Sequence, residues 1–99
     1  IISKPTEHTI CMDVGHKSVA PENSIDNRVT FIDHPDWSLV SQSEEHGIIE
    51  VGDNSPYQIG DLIRMYPYHI CPTVALHQEI QVANAPAWKV VARDRKLTI

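Results

Sequence analysis

Apolar and β-branched residues occur in this chain as short runs separated by clusters of turn-forming residues. The chain contains seven prolines and four glycines, and no longer window keeps the spacing of apolar side chains that an amphipathic helix needs. Runs of about five residues bounded by Gly, Pro, Asn and Asp are instead typical of strands. The pattern therefore predicts a mainly β chain with little helix.

Six or seven such runs are spread along the chain. They cover residues 9–14, 29–32, 38–41, 47–51, 62–66, 78–82 and 88–92. Residues 38–41 and 47–51 flank Glu44-Glu45-His46 and are expected to pair, while residues 62–66 alternate so that one face of the strand meets water. Because 99 residues can bury only one modest core, we expect a single domain over residues 1–99, a small antiparallel β-barrel or sandwich.

Charge and cysteine content narrow the functional classes. Thirteen acidic against eight basic residues give a formal charge of −5, which argues against a nucleic-acid or anionic-membrane surface, because phosphate binding depends on clustered Lys and Arg. There is no apolar stretch of the roughly 18 residues that span a bilayer, and no signal peptide is apparent. Cys11 and Cys71 lack disulfide-rich spacing. These features predict a cytoplasmic protein that binds neither nucleic acid nor membrane.

Most of the candidate chemistry lies in residues 66–74, which read YPYHICPTV. Each proline disfavours helical backbone at the residue before it, so Tyr66 and Cys71 are both expected to be extended. In an extended segment, residues two apart point to the same side, with Cα atoms about 6.5 Å apart. His69 and Cys71 can then converge on one ion, and their nitrogen and sulfur atoms are ligand types that Zn²⁺ favours.

Two donors leave the shell of a zinc ion incomplete. A structural zinc site uses four protein ligands, and the chain has no second pair at finger-like spacing; His46 and His77 are the other obvious donors. Open positions suit a catalytic metal, because water or substrate must bind there to be polarised. The same pattern also fits a buried histidine and a small apolar cysteine at a strand end. The residues alone leave both interpretations open.

Several motifs, taken in order, resemble those of one enzyme family. Residues 67–77, PYHICPTVALH, resemble the P-x-H-x-C/D-P-T-V-x-L-H segment of the D-threonine aldolase and D-serine dehydratase family. The stretches ISKP at 2–5, DVGHK at 13–17, SEEHG at 43–47 and GDLIR at 60–64 precede it in the family's order. They resemble V-I-S-R-P, D-A-G-x-K, E-E-H-G and G-D-x-V-x. The similarity covers nearly the full length.

This resemblance implies an architecture like that of alanine racemase, in which a barrel that binds pyridoxal phosphate (PLP) precedes a C-terminal β-domain. The Schiff-base lysine of the family belongs to the barrel, so the cofactor is not expected on Lys4, Lys17, Lys89 or Lys96. The chain would then be the C-terminal domain of a lyase that acts on β-hydroxy D-amino acids. Its expected partners are the PLP barrel, a second subunit in a homodimer and the D-amino-acid substrate.

By position, the resemblance makes His69 and Cys71 the ligands of a divalent cation, Zn²⁺ or alternatively Mn²⁺. Such a cation polarises the β-hydroxyl of the substrate. Cysteine as the second ligand favours the dehydratase over the aldolase, and no catalytic residue is assigned to this chain. Residues expected near the ligands or at the mouth of the active site are His77, His46, Asp13, Lys17 and Tyr68.

A different class of function is also open. The chain would then be a non-catalytic β-barrel module that retains the family fold for interaction or assembly. In either case we expect an exposed apolar face that promotes self-association. Zinc binding that depends on His69 distinguishes the two hypotheses.

Overall fold

The computed structural model describes residues 1–91, which form three antiparallel sheets and one short α-helix. The elements are β1 (Ser3–Thr6), β2 (Thr9–Met12), a 3-10 turn (Ile25–Asn27), β3 (Val29–Phe31), β4 (Ser38–Gln42), β5 (Gly47–Glu50), β6 (Met65–Pro67), α1 (Ile70–Ala75), β7 (Glu79–Ile80) and β8 (Trp88–Lys89). The predicted class, mainly β with little helix, is confirmed. Over the described residues the sheets stay open and form no closed barrel.

The largest sheet has the strand order β1-β2-β5-β4 and is antiparallel throughout. Its second half is the hairpin predicted on either side of Glu44-Glu45-His46, which is confirmed. Ile49 in β5 lies opposite Ile10 of β2 on one side and Leu39 of β4 on the other. These three side chains are buried, so the middle of the sheet is also the centre of the core.

The core combines this sheet with residues from the loops that follow β2 and β3. Its buried members are Ile10, Met12, Val14, Val19, Phe31, Trp37, Leu39, Ile49 and Val51. Trp37 is the largest of them, and it meets the ring of Phe31 edge-on with centroids 5.7 Å apart. On another side it stacks on His34 at 3.7 Å. Aromatic contacts of this kind add to the free energy gained by burial.

β6 begins later than the strand predicted over residues 62–66, although the predicted alternation is present. Side chains from residue 61 to residue 68 are alternately half-buried and exposed, with Leu62 outside and Met65 against the core. Hydrogen-bonded pairing is confined to the stretch opposite β3, where Phe31 faces Met65 and Val29 faces Pro67. The partner strand, rather than the alternation, therefore sets the limits of β6.

The last two predicted strands are much shorter than residues 78–82 and 88–92. β7 and β8 contain two residues each, and Ile80 lies opposite Trp88. Residue 92, the end of the second prediction, lies outside the described residues. Within residues 1–91, no helix is long and apolar enough to cross a membrane.

The extended backbone predicted at Cys71 is wrong, because Cys71 lies in the first turn of α1. A proline is tolerated in a first turn, since its missing N–H would have no partner within the helix there. Pro72 occupies such a position, and it outweighs the usual preference of the preceding residue for extended backbone. Tyr66 lies in β6 and is extended as predicted. His69 is extended as well, with φ −112° and ψ 99°, and precedes the helix.

Replacing Ile49 with alanine should destabilise the fold strongly. Ile49 has no exposed surface, so the substitution leaves a cavity between β2 and β4, and such losses cost about 2–5 kcal/mol of the free energy of unfolding. Urea denaturation followed by circular dichroism measures the change. Ile59→Ala is the matched control, because Ile59 is 67% exposed and its loss should cost less than about 0.5 kcal/mol. Equal effects of the two substitutions would contradict the assigned core.

Candidate functional site

The DVGHK and SEEHG motifs pack directly against each other. The backbone N–H of His16 donates to the carbonyl of Ser43 at 2.8 Å, and that of Lys17 donates to the carbonyl of Glu44 at 3.0 Å. Gly15 is buried at this contact, and a Cβ atom there would lie closer than 3.0 Å to the Glu44 carbonyl oxygen. The close approach of the two backbones therefore requires a glycine at position 15. The DVGHK and SEEHG motifs, 26 residues apart in the chain, form one structural unit.

Lys17 is held at this unit by charge. Its Nζ lies 3.1 Å from Oε1 of Glu45 and 3.7 Å from Oε2 of Glu44. The hydrogen bond to Glu45 is the main cause that raises the pKa of Lys17, and the negative charges of both carboxylates add to it. All three side chains are exposed, so the pairs orient the lysine without contributing much stability.

A cleft of about 360 Å³ opens beside this unit. Its lining residues are Ile2, Asp13, Lys17, Ser18, Glu44, Glu45 and His46. Three of the residues expected near the ligands or at the active-site mouth, Asp13, Lys17 and His46, thus come together in the structure. The size is at the lower end for small-molecule sites. His69 and Cys71 are not among the residues that line it.

Gln42 connects the loop after β2 to Arg28, next to the candidate metal segment, and the sequence analysis did not identify it. Its Nε2 donates to the carbonyls of Val14 and Val19, at 3.0 and 3.1 Å, and so closes the loop between them. Its Oε1 accepts from the Arg28 guanidinium at 3.0 Å. The carbonyl of Arg28 in turn accepts from the N–H of Tyr68 at 2.8 Å. In the sequence, the one indication of this role is that Gln42 is polar and directly precedes the SEEHG motif.

α1 and the turn that follows it are each held to residues 18–20 by one side-chain contact. The Thr73 hydroxyl accepts from the N–H of Ala20 at 3.1 Å and donates to the carbonyl of His69 at 3.0 Å. Nε2 of His77 lies 2.9 Å from the carbonyl of Ser18, so this nitrogen must carry the proton. His77 therefore anchors the segment after α1 to the loop that contributes Ser18 to the cleft.

His69 and Cys71 are both exposed, one just before α1 and the other in its first turn. The interpretation as a buried histidine and an apolar core cysteine is wrong for this pair. The argument that residues two apart share a side does not apply either, because only His69 is extended. Among the described residues neither side chain has a hydrogen-bond partner, and no group of three or more His, Cys, Asp or Glu is placed to hold a metal ion.

Exposed apolar side chains flank this pair in the sequence. Tyr66, Tyr68 and Ile70 are 64%, 67% and 54% exposed and alternate with Pro67, His69 and Cys71 along the chain. Tyr68, expected near the ligands or at the active-site mouth, is therefore adjacent to His69 in sequence but does not line the cleft. We call Tyr66, Tyr68 and Ile70 the apolar strip.

Comparison with known families decides the family of the chain. Residues 1–83 match the family described as "Putative serine dehydratase domain". The chain belongs to this serine dehydratase domain family. The match includes the DVGHK and SEEHG motifs, α1 and the apolar strip, so the resemblance noted in the sequence is confirmed.

Relatives of this serine dehydratase-type domain differ greatly in length. A D-threonine aldolase of Arthrobacter sp is 27% identical over 99 aligned positions, which cover 94% of this chain and 25% of the aldolase. Uncharacterised proteins of Mycobacterium bovis and Mycobacterium tuberculosis are 32% identical over 70 positions, which cover 66% of this chain and 53% of theirs. The chain thus spans about a quarter of the aldolase and about half of the mycobacterial proteins.

Gly15→Ala should destabilise this serine dehydratase-type domain. The added methyl group meets backbone atoms of Glu44 that cannot rotate away, and overpacking of this kind costs about 1–3 kcal/mol. The free energy of unfolding in urea is the measurement. Asp13→Ala provides the control, because Asp13 is exposed in the same turn and its loss should change stability by less than about 0.5 kcal/mol. A Gly15→Ala protein as stable as the wild type would show that the two motifs do not touch.

Proposed function

We propose that this domain supplies two metal ligands, His69 and Cys71, to a PLP-dependent lyase that acts on β-hydroxy D-amino acids. The observation that carries the proposal is the exposure of both donors around the start of α1, inside the segment that matches the family. The supporting relative is a D-threonine aldolase, to which 94% of this chain aligns.

The donor set fits a divalent cation in chemical type but does not complete a coordination shell. An imidazole nitrogen and a thiolate sulfur favour Zn²⁺ over Mn²⁺, which prefers oxygen ligands. No third donor is grouped with them in residues 1–91, so water, substrate or another part of the protein must supply the rest. A cation bound in this way acts as a Lewis acid on a hydroxyl oxygen. The role of the chain is to hold His69 and Cys71 towards that cation.

Lys4 and Lys17 do not fit the covalent anchoring of PLP. A lysine that forms a Schiff base needs a lowered pKa to be nucleophilic. The pKa of Lys17 is raised by Glu45 instead, and Nζ of Lys4 donates to the carbonyl of Tyr57 at 2.9 Å. Under the proposal the cofactor is therefore held by a separate barrel domain. Cys71 favours dehydration, whereas the named relative is an aldolase, so we propose a lyase without choosing between the two reactions.

The apolar strip supports the proposed partners. Tyr66, Tyr68 and Ile70 are exposed and lie next to the candidate ligands in sequence, and an interface is where exposed apolar residues that form one large patch are covered. A barrel domain that covers the strip would bring PLP and the D-amino acid to the metal. A second subunit of a homodimer is the other partner that we propose for the apolar surface.

A second function is favoured by the short mycobacterial relatives. The 70 aligned positions make up 53% of each of these proteins, and the remainder is far shorter than the roughly 250 residues of a (β/α)₈ barrel. The domain therefore also occurs in proteins that cannot contain such a barrel. This supports the alternative of a non-catalytic module for interaction or assembly.

Zinc titration of the chain separates the two functions. We expect one Zn²⁺ per chain, with affinity reduced at least tenfold by His69→Ala and by Cys71→Ser, because each removes one of two protein ligands. Competition with a chromophoric chelator measures the dissociation constant.

His8→Gln is the control for that titration. His8 is also exposed, and its Nδ1 contacts the carbonyl of Gly52, far along the chain from the candidate site. This substitution should leave zinc affinity unchanged. Equal zinc affinity of wild type and His69→Ala would remove the metal from the proposal and favour the non-catalytic module.

A further inference from the structure

Thr73 touches both the backbone of a candidate ligand and the neighbouring loop. Its side chain is nearly inaccessible, at 7% exposure, and its hydroxyl both donates to the His69 carbonyl and accepts from the Ala20 N–H. We propose that Thr73 is a positioning residue that fixes His69 and Cys71 in the arrangement that binds the metal. The inference rests on the proposed function, because it assumes that this pair is the metal site.

The hydrogen bond from Thr73 to the His69 carbonyl restrains the start of α1, where the side chain of His69 makes no capping bond. His69 occupies the position just before α1. A threonine hydroxyl commonly bonds to the carbonyl four residues earlier, and here that carbonyl belongs to His69. Cys71 lies between the two bonded residues. The single hydroxyl of Thr73 therefore limits the backbone movement of both candidate ligands.

The contact to Ala20 turns this local bond into a tertiary one. Residues 70–75 form a helix of six residues, which is too short to be stable by itself in water. The Ala20–Thr73 bond joins positions 53 residues apart, and the His77 imidazole holds the following turn to the Ser18 carbonyl. With both contacts present the helix cannot pivot away from residues 18–20. The ligands are then ordered before the metal arrives, and the entropic cost of binding falls.

Thr73→Val should weaken zinc binding without removing a ligand. Valine keeps the branched shape but leaves the Ala20 N–H without its acceptor and frees the His69 carbonyl. Loss of a group that orients metal ligands typically lowers affinity by about 10–100-fold. Thr73→Ser retains the hydroxyl and should remain within about threefold of the wild type. Thr30→Val is the matched control, because Thr30 is exposed in β3 and should not affect affinity.

Amide hydrogen exchange of the metal-free protein tests the contact separately from the metal. In Thr73→Val the N–H of Ala20 should exchange at least tenfold faster than in the wild type, while the N–H of Ile49 in the central strand should stay protected. Unchanged exchange at Ala20 would overturn the inference. Thermal denaturation shows whether Thr73→Val is folded. If it is not, the zinc and exchange measurements are made on Thr73→Ala.

The combined results distinguish failure of the inference from failure of the proposed function. If Thr73→Val binds zinc with the same affinity as the wild type, the positioning role of Thr73 is overturned and the metal site is left intact. Wild-type protein that binds no zinc would overturn the proposed metal site and the inference with it. Weaker binding by Thr73→Val and Thr73→Ala, recovered in Thr73→Ser, supports both.

Discussion

The backbone contact between residues 15–17 and residues 43–45 is the constraint on which the rest of the structure depends. β2 and β5 pair around Ile49, and the segments beyond their ends stay close enough for the Gly15 backbone to pack on Glu44. Beside this contact, Gln42 closes the loop between Val14 and Val19 and so fixes the course of residues 18–20. Residues 18–20 then provide the backbone groups that hold α1. The positions of His69 and Cys71 therefore depend, through these contacts, on the central sheet.

This chain of contacts links the motifs that resemble those of the family. DVGHK and SEEHG form the cleft and its supporting backbone, and the following CPTVALH segment is fastened to that backbone through Thr73 and His77. Exposed donors at the start of α1 and the apolar strip beside them form a surface suited to an interface. The aligned part makes up about a quarter of the aldolase and about half of the mycobacterial proteins, so the length that remains outside it differs greatly between these relatives.

Local patterns in the sequence predicted the strands and the hairpin because short apolar runs with turn formers between them determine both. They failed where distant residues decide the outcome. β6 is set by its pairing with β3, which no alternation within residues 62–66 reveals. Cys71 precedes a proline and was expected to be extended, but the first turn of a helix tolerates Pro72. Thr73 and Gln42 looked unremarkable, since their partners Ala20 and Val14 are far away in sequence.

X-ray absorption at the zinc edge of the zinc-loaded protein tests most directly whether His69 and Cys71 present one nitrogen and one sulfur to the same ion. We expect one sulfur at about 2.3 Å and one imidazole nitrogen at about 2.0–2.1 Å, with light atoms completing the shell. The sulfur contribution should disappear in Cys71→Ser. A shell without sulfur, or with two sulfurs per zinc ion, would show that His69 and Cys71 of one chain do not form the site.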